Sequence, residues 1–268
     1  MNVLRMLLLV MLGATLFACA TVKEQQREDS KNLEIADTNV RLGLGYLQQG
    51  RAEAALEKLQ KALAALPDHA EAHSVIALIY TELEDTEKAE MHYRRALEIS
   101  PKDGSMHNNY AVFLCQTGRP AEAEPYFLKA IQSRNYRTPA QALENLGLCA
   151  LQIPDPDKAE TYLRKALQID PRLPSALLKM ARLSVEKDNP LSGRAYLARY
   201  QAVSPLNAEG LWLGIQVEKA LGDEARVRDY ENRLRRHFPD SQELRLLLEA
   251  QQAEQQPGQT RQGTEAGK

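Results

Sequence analysis

The chain has 268 residues, of which 44% are hydrophobic and 26% are charged, a balance that suits a globular or repeat protein. Its formal net charge is −2 and it has no long basic block, which argues against nucleic-acid binding, since that usually needs a basic stripe to engage phosphates. The strong helix formers Ala, Leu, Glu, Gln, Lys and Arg are abundant and aromatic residues make up only 6%, so the sequence predicts an all-α fold.

The first residues have the features of an export signal. Arg5 supplies a positive start, and the apolar run that follows, residues 6–17, is shorter than the roughly 20 residues of a membrane-spanning helix. The run ends in the letters LFAC, which resemble the bacterial lipobox. The resemblance implies a lipoprotein signal peptide over residues 1–18 and a lipidated Cys19. The alternative is an ordinary secretory signal followed by an incidental cysteine.

The residues after the cysteine bear on where the protein is held. Ala20 stands where lipoproteins retained in the inner membrane carry Asp, so the lipobox resemblance implies the periplasmic side of the outer membrane. More than one acyl chain on Cys19 would give stable anchoring to the membrane, with palmitate as the expected label. Residues 19–35, which are mostly polar and charged, are predicted to be a tether.

The stretch LGLGYLQQG, residues 42–50, invites two interpretations. Its three glycines suggest a phosphate-binding loop, but no run of β-branched or aromatic residues precedes them, as a strand-loop-helix nucleotide site would need. The competing interpretation is that the glycines serve the packing of a helical repeat.

A repeat is indicated by prolines spaced 34 residues apart, from Pro67 to Pro101 and again from Pro171 through Pro205 to Pro239. We number positions from the first residue of each repeat. A small residue at position 8, Ala at 20, a bulky apolar residue at 24 and Ala at 27 resemble the tetratricopeptide repeat. This predicts a superhelical solenoid of about six helix-turn-helix repeats and a C-terminal helix, with a short insertion at residues 133–139. The predicted repeats are 36–69, 70–103, 104–139, 140–173, 174–207 and 208–241.

The repeat frame assigns roles to two of the three glycines. Gly43 falls on position 8, where the first and second helices of a repeat approach closely, and Gly50 falls where the first helix ends and a left-handed residue is favoured. Gly45 has no such role and costs about 1 kcal/mol of helix propensity relative to Ala. The packing interpretation is therefore preferred to the nucleotide loop.

The end of the chain is predicted to differ from the array. Residues 242–254 suit one last, capping helix, and residues 255–268 are rich in Gln, Gly and Thr without an apolar period, so they are expected to be disordered.

No motif in the sequence supports an enzyme. His69 and His73 have the spacing of two metal ligands on one helical face, but no third ligand is near and the sequence is not H-E-x-x-H. Nucleophile-elbow, Walker and Cys-x-x-Cys patterns are absent from the sequence. We therefore expect no metal, no cofactor and no small-molecule substrate.

A helical solenoid offers a concave surface for a protein partner. In the tetratricopeptide fold this surface is lined by the first helix of each repeat, and the side chains assigned to it here are mostly apolar, which suggests an apolar strand or helix as the ligand. The alternative for each is packing on a neighbouring helix. The predicted groove residues are Val40, Leu44, Leu47, Leu78, Val112, Leu148, Leu151 and Trp212.

Two further cysteines, Cys115 and Cys149, are predicted to form a disulfide. Both fall in first helices of neighbouring repeats, and an exported protein enters an oxidising compartment where paired cysteines tend to bridge. Two reduced cysteines packed as small hydrophobes are the alternative.

The whole pattern resembles the PilF/PilW family of type IV pilus biogenesis lipoproteins. The resemblance is carried by LGLGYLQQG at 42–50, NNYAVFLCQTGRPAEA at 108–123, ALENLGLCALQ at 142–152 and LWLGIQVEK at 211–219. It implies an outer-membrane pilotin that binds the pilus secretin and promotes its localisation and multimerisation. The alternatives are a repeat lipoprotein serving β-barrel assembly or cell-wall synthesis, and an envelope enzyme with an unrecognised site.

Overall fold

The computed structural model describes the backbone of residues 2–255 and the side chains of residues 24–254. Over that range the chain forms thirteen α-helices and no strand, which confirms the predicted all-α helix-turn-helix repeat fold. The helices are α1 (Asn2–Gln48), α2 (Ala52–Ala65), α3 (Ala70–Glu82), α4 (Thr86–Ile99), α5 (Gly104–Gln116), α6 (Pro120–Gln132), α7 (Pro139–Ala150), α8 (Pro156–Ile169), α9 (Pro174–Glu186), α10 (Pro190–Gln201), α11 (Ala208–Leu221), α12 (Glu224–His237) and α13 (Gln242–Gln255).

The helix pairs follow the 34-residue frame. Each predicted repeat holds one pair, from α1–α2 in the first to α11–α12 in the sixth, and α13 falls where a last helix is expected. The side chain of Cys19 and the predicted tail beyond residue 255 lie outside the described residues.

The segment predicted as a tether, residues 19–35, belongs to α1. Residues 24–42 contain neither Gly nor Pro, so nothing in them interrupts a helix, and the Gln25 side chain donates a hydrogen bond to Asp29 one turn later at 3.0 Å. Within the described part of the chain, no helix combines the length and apolar character needed to cross a membrane.

Small residues let the two helices of a pair approach closely in the first and fourth repeats. In the first repeat Ala55, Leu59 and Ala62 of α2 are fully buried. A Cβ added to Gly43 would lie 2.9 Å from Leu59 Cγ, so the predicted close approach at position 8 is confirmed. Gly147 stands in the same relation to Leu163 in the fourth repeat, at 2.7 Å.

The turn inside a repeat uses a left-handed residue at position 15. Gly50, Gly118 and Gly222 have φ of 71°, 75° and 73°, as a left-handed C-terminal cap requires. Glu84 and Asp188 hold the same position with φ of 60° and 51°. Pro154 occupies it in the fourth repeat and cannot adopt positive φ, so α7 ends early at Ala150 and a run of turns leads to α8.

The chain divides into two compact units, residues 1–136 and 137–268. In the first, Glu90 of α4 joins two repeats by accepting hydrogen bonds at 2.9 Å from Tyr110 Oη of α5 and from Arg119. Burial opposes ionisation of Glu90, but the bonds from Arg119, Arg94 and Tyr110 outweigh it and lower its pKa to about 2.

In the second unit the carboxylate of Glu218 in α11 is 1% exposed and is paired with Arg194 of α10 and Arg226 of α12. A buried charge needs such partners, because an unpaired one would be strongly destabilising.

Candidate partner-binding groove

A groove of about 750 Å³ lies in the first unit. Its walls are α1, α3 and α5, the first helices of the first three repeats, together with Tyr93 and Ile99 of α4 and the segments that lead into α3 and α5. The lining residues are Leu33, Asp37, Leu44, Leu66, Asp68, His69, Ala70, Glu71, Ser74, Val75, Leu78, Tyr93, Ile99, Ser100, Asp103, Ser105, Met106, Asn109, Val112 and Gln116.

Three predicted residues meet in this groove. Leu44, Leu78 and Val112 occupy position 9 of successive repeats and line it together, and we call them the apolar row. Leu78 is 39% exposed, a large fraction for a leucine in the middle of a helix. Leu44 also packs against the core of the first repeats, so it serves both the groove and the fold.

Two other predicted residues are not among the residues that line this groove. For Val40, which is buried, the groove assignment is wrong, and for Leu47, which is half-buried, it stays a prediction. Val40 is 1% exposed and belongs to the core cluster that contains Val75, Ile76 and Ile79 of α3, because this turn of α1 faces the neighbouring helix. Leu47 packs against the same cluster and is not among the groove residues.

The remaining predicted groove residues belong to the second unit. Leu148 and Trp212 are half-buried on α7 and α11, and Leu151 is half-buried at the C-terminal end of α7. In the fourth repeat the side chain of Glu144, at position 5, is buried and accepts hydrogen bonds from the Ala176 backbone N–H at 2.9 Å and from Gln141 at 2.6 Å. A role of Leu148, Leu151 and Trp212 in partner binding stays a prediction.

Four carboxylates line the groove: Asp37, Asp68, Glu71 and Asp103, which we call the acidic edge. Asp37 and Glu71 stand seven residues before Leu44 and Leu78, so the acidic edge and the apolar row are about 10 Å apart along each helix. None of the groove-lining residues is Lys or Arg. The groove therefore combines an apolar row with negative charge to one side of it.

His69 is a buried polar residue of the groove wall. It is 7% exposed, and its Nδ1 accepts a hydrogen bond from the Ala72 backbone N–H at 3.1 Å, which caps α3. Nε2 therefore carries the proton and donates it to Asp37 at 2.9 Å. Both ring nitrogens are hydrogen-bonded, so His69 links α3 to α1 and neither nitrogen is available to accept a proton from a substrate.

His73, the other half of the predicted pair, does not join His69. Its Nε2 donates to the Pro67 carbonyl at 3.1 Å and its Nδ1 lies 2.8 Å from Nδ1 of His92 in α4. Burial and the neighbouring His73 lower the pKa of His92 to about 4, and burial lowers the pKa of His73. The same two positions, 4 and 23, meet in the third repeat, where the rings of His107 and Tyr126 lie 6.0 Å apart. This recurrence is the signal from which the sequence could have predicted the contact between His73 and His92.

No metal site is assembled in the described residues. They contain no group of three or more His, Cys, Asp or Glu side chains placed to hold a metal ion. Cys115 is half-buried in α5 and Cys149 is buried in α7, and their pairing stays a prediction.

Comparison with known proteins identifies the repeats. Residues 34–102 and 103–172 match the tetratricopeptide repeat model. The type IV pilus assembly protein PilF of Pseudomonas aeruginosa is 33% identical over 241 residues, which cover 89% of this chain and 96% of PilF. The chain belongs to the PilF/PilW family of type IV pilus biogenesis proteins.

Solved structures agree with this assignment. A structure of Pseudomonas aeruginosa PilF superposes with a TM-score of 0.77 at 33% identity, covering 82% of this chain and 99% of that one. PilW, described as a widely conserved type IV pilus biogenesis factor, superposes with a TM-score of 0.73 at 33% identity, covering 80% of this chain and 98% of PilW. The PilF/PilW chain described here is therefore a tetratricopeptide-repeat protein of pilus biogenesis, and its interactions are with other proteins.

Proposed function

We propose that this PilF/PilW family protein is a lipid-anchored pilotin. It is held to the outer membrane through Cys19, faces the periplasm, and binds the secretin of the type IV pilus in the groove of its first unit. By holding secretin subunits there it promotes their arrival at the outer membrane and their assembly into the ring.

The observation that carries the proposal is the apolar row in a chain of this family. Leu44, Leu78 and Val112 come from three successive repeats and share one groove, and Leu78 stays 39% exposed although it lies mid-helix. Contiguous apolar surface rimmed by polar groups is typical of protein interaction sites. A partner that covers the row would gain roughly 25 cal/mol for each Å² of apolar surface removed from water.

A binding role also fits the polar groups of the groove better than catalysis. Both nitrogens of His69 are engaged, and Ser74 Oγ accepts a hydrogen bond from Asn109 Nδ2 at 3.1 Å. These contacts tie α1, α3 and α5 together, and they leave His69 unable to activate Ser74 as a nucleophile.

The test compares two exposed leucines. Leu78→Asp places a charge in the apolar row, whereas Leu42→Asp places the same charge on α1 at a leucine that is 47% exposed and does not line the groove. We expect Leu78→Asp to weaken capture of purified secretin by at least about tenfold, because a buried apolar contact is worth about 1.5–3 kcal/mol. Leu42→Asp should bind as the unaltered protein does, and both variants should keep their helicity.

Equal loss in both variants, or retained capture by Leu78→Asp, would contradict the groove assignment. The rival scaffold role in β-barrel assembly or cell-wall synthesis predicts that secretin multimers and surface pili persist in a deletion strain. The pilotin role predicts that both disappear together.

A further inference from the structure

The charges of the groove specify its ligand further. We infer that the groove takes an apolar peptide segment that carries Lys or Arg about 10 Å to one side of its apolar anchors. This rests on the proposed binding function and adds the chemistry that the partner segment must have.

The first step is which carboxylates of the acidic edge remain uncompensated. Asp68 is paired with Arg95 of α4. Asp103 caps α5 by accepting the Ser105 backbone N–H at 2.7 Å, and this bond together with the positive end of the helix dipole offsets part of its charge. Asp37 is in the interior of α1, away from any helix end, and its hydrogen bond comes from His69. Glu71 is exposed in the first turn of α3, where the dipole supplies only about half a charge of opposite sign.

The second step is that the excess negative charge lies at one end of the groove. Position 2 is acidic in the first two repeats, Asp37 and Glu71, and is Ser105 in the third, while the apolar row continues through all three. No Lys or Arg among the groove-lining residues neutralises Asp37 or Glu71. A ligand seated on the apolar row therefore meets the strongest negative potential beside the first and second repeats.

The third step is what a ligand gains or loses there. A segment with an acidic flank would place like charges together in a partly desolvated groove, which costs affinity, whereas Lys or Arg gains attraction and speeds encounter. The seven-residue offset between Glu71 and Leu78 corresponds to two helical turns, about 10 Å. In an extended peptide that distance is spanned by about three residues, and the length of a Lys or Arg side chain shortens the backbone distance needed.

The experiment selects ligands without assuming the secretin. Short random peptides displayed on phage are selected on the lipid-free protein and on its Leu78→Asp variant, and clones that depend on Leu78 are sequenced. We expect enrichment of Leu, Ile, Val or Phe with Lys or Arg nearby. Selected peptides with neutral or acidic flanks, or no clone that depends on Leu78, would overturn the inference.

Charge-exchange variants then test the contact itself. Glu71→Lys should weaken a selected basic peptide by about fivefold and strengthen the same peptide when its basic residues are replaced by Glu. Glu87→Lys is the control, because Glu87 is an exposed first-turn residue of α4 that does not line the groove. Equal effects of the two variants would show long-range attraction only and would overturn the site.

The two proposals fail in different ways. If full-length secretin is captured but the selected peptides show no basic preference, the inference fails and the pilotin function stands. If basic apolar peptides are selected but secretin is not captured, the groove chemistry stands and its proposed partner is wrong.

Discussion

At the scale of single residues, two glycines of α1 distinguish the effect of side-chain packing on stability from the effect of helix propensity. A Cβ on Gly43 would meet Leu59, which is fully buried in α2. No atom lies within 4 Å of the position that a Cβ would take on Gly45. Two glycines on one helix, two residues apart, therefore have opposite consequences for the same substitution.

We predict that Gly43→Ala lowers the free energy of unfolding and Gly45→Ala raises it. Overpacking against Leu59 should cost about 1–3 kcal/mol, whereas Ala at position 45 should gain up to about 1 kcal/mol of helix propensity. Thermal and urea denaturation of the two single variants measure both effects. Destabilisation by Gly45→Ala would contradict the open space that the structure shows at this position.

The sequence predicted the role of a residue correctly where its repeat position makes one fixed contact. It failed where a side chain at that position has two possible environments. Position 8 meets position 24 of its own repeat in both the first and the fourth repeat, so Gly43 could be assigned from the period. Val40 could not be assigned in this way. An apolar side chain on a first helix faces either the groove or the next repeat, and the 34-residue spacing does not distinguish these two environments. Leu78 and Val40 look alike in sequence and differ in exposure, 39% against 1%.

At the scale of elements, the 34-residue period predicts helix pairs well and turns less well. Alanines at positions 20 and 27 recur in the first four repeats, and prolines 34 residues apart carry the frame through the fifth and sixth, so the helix pairs could be located from the sequence. The turn of the fourth repeat escapes the pattern since Pro154 excludes the left-handed residue that five other repeats use. The acidic edge also escapes it, because it joins position 2 of one repeat to the segment before the next.

The contact between α3 and α4 gives a prediction about pH. His92 has a pKa of about 4 in the fold against an ordinary 6.5, so between these values the unfolded chain binds more protons than the folded one. Its contribution to stability is therefore complete above pH 6.5 and is lost as the pH falls towards 4. Protonation of His73 at Nδ1 would also set two N–H groups against each other across the 2.8 Å contact.

His92→Tyr tests this contribution, since tyrosine occupies the equivalent position 126 of the next repeat and does not titrate in this range. Acidification should lower the free energy of unfolding of the unaltered protein more than that of the variant, by about 1–2 kcal/mol after solvent screening. Urea denaturation of both proteins across the window measures the difference, in which the titration of the carboxylates cancels. Parallel pH profiles would show that the pair is not the acid-sensitive contact.

At the scale of the whole molecule, the proposed lipid anchor at Cys19 and the proposed binding groove occupy different parts of the chain. The groove-lining residue nearest the N-terminus in sequence is Leu33, well beyond Cys19. A pilotin needs both parts, because the groove alone would bind secretin without determining the membrane at which it assembles. The two contributions should therefore be separable by substitutions that leave the first unit unchanged.

We predict that Cys19→Ser releases the protein from the outer membrane and abolishes palmitate labelling, because stable anchoring depends on acyl chains at that thiol. Ala20→Asp is the matched variant: it should keep the label and move the protein to the inner membrane, as the lipobox resemblance implies. Both purified variants should capture secretin as the unaltered protein does, yet both should reduce secretin multimers in the outer membrane, since binding now occurs in the wrong place. Membrane fractionation with palmitate labelling distinguishes the cases. If the Cys19→Ser variant still fractionates with the outer membrane and is still labelled, the anchor proposal is wrong. If secretin multimers are normal in a strain whose Ala20→Asp variant has moved to the inner membrane, secretin assembly does not depend on the membrane that holds this protein.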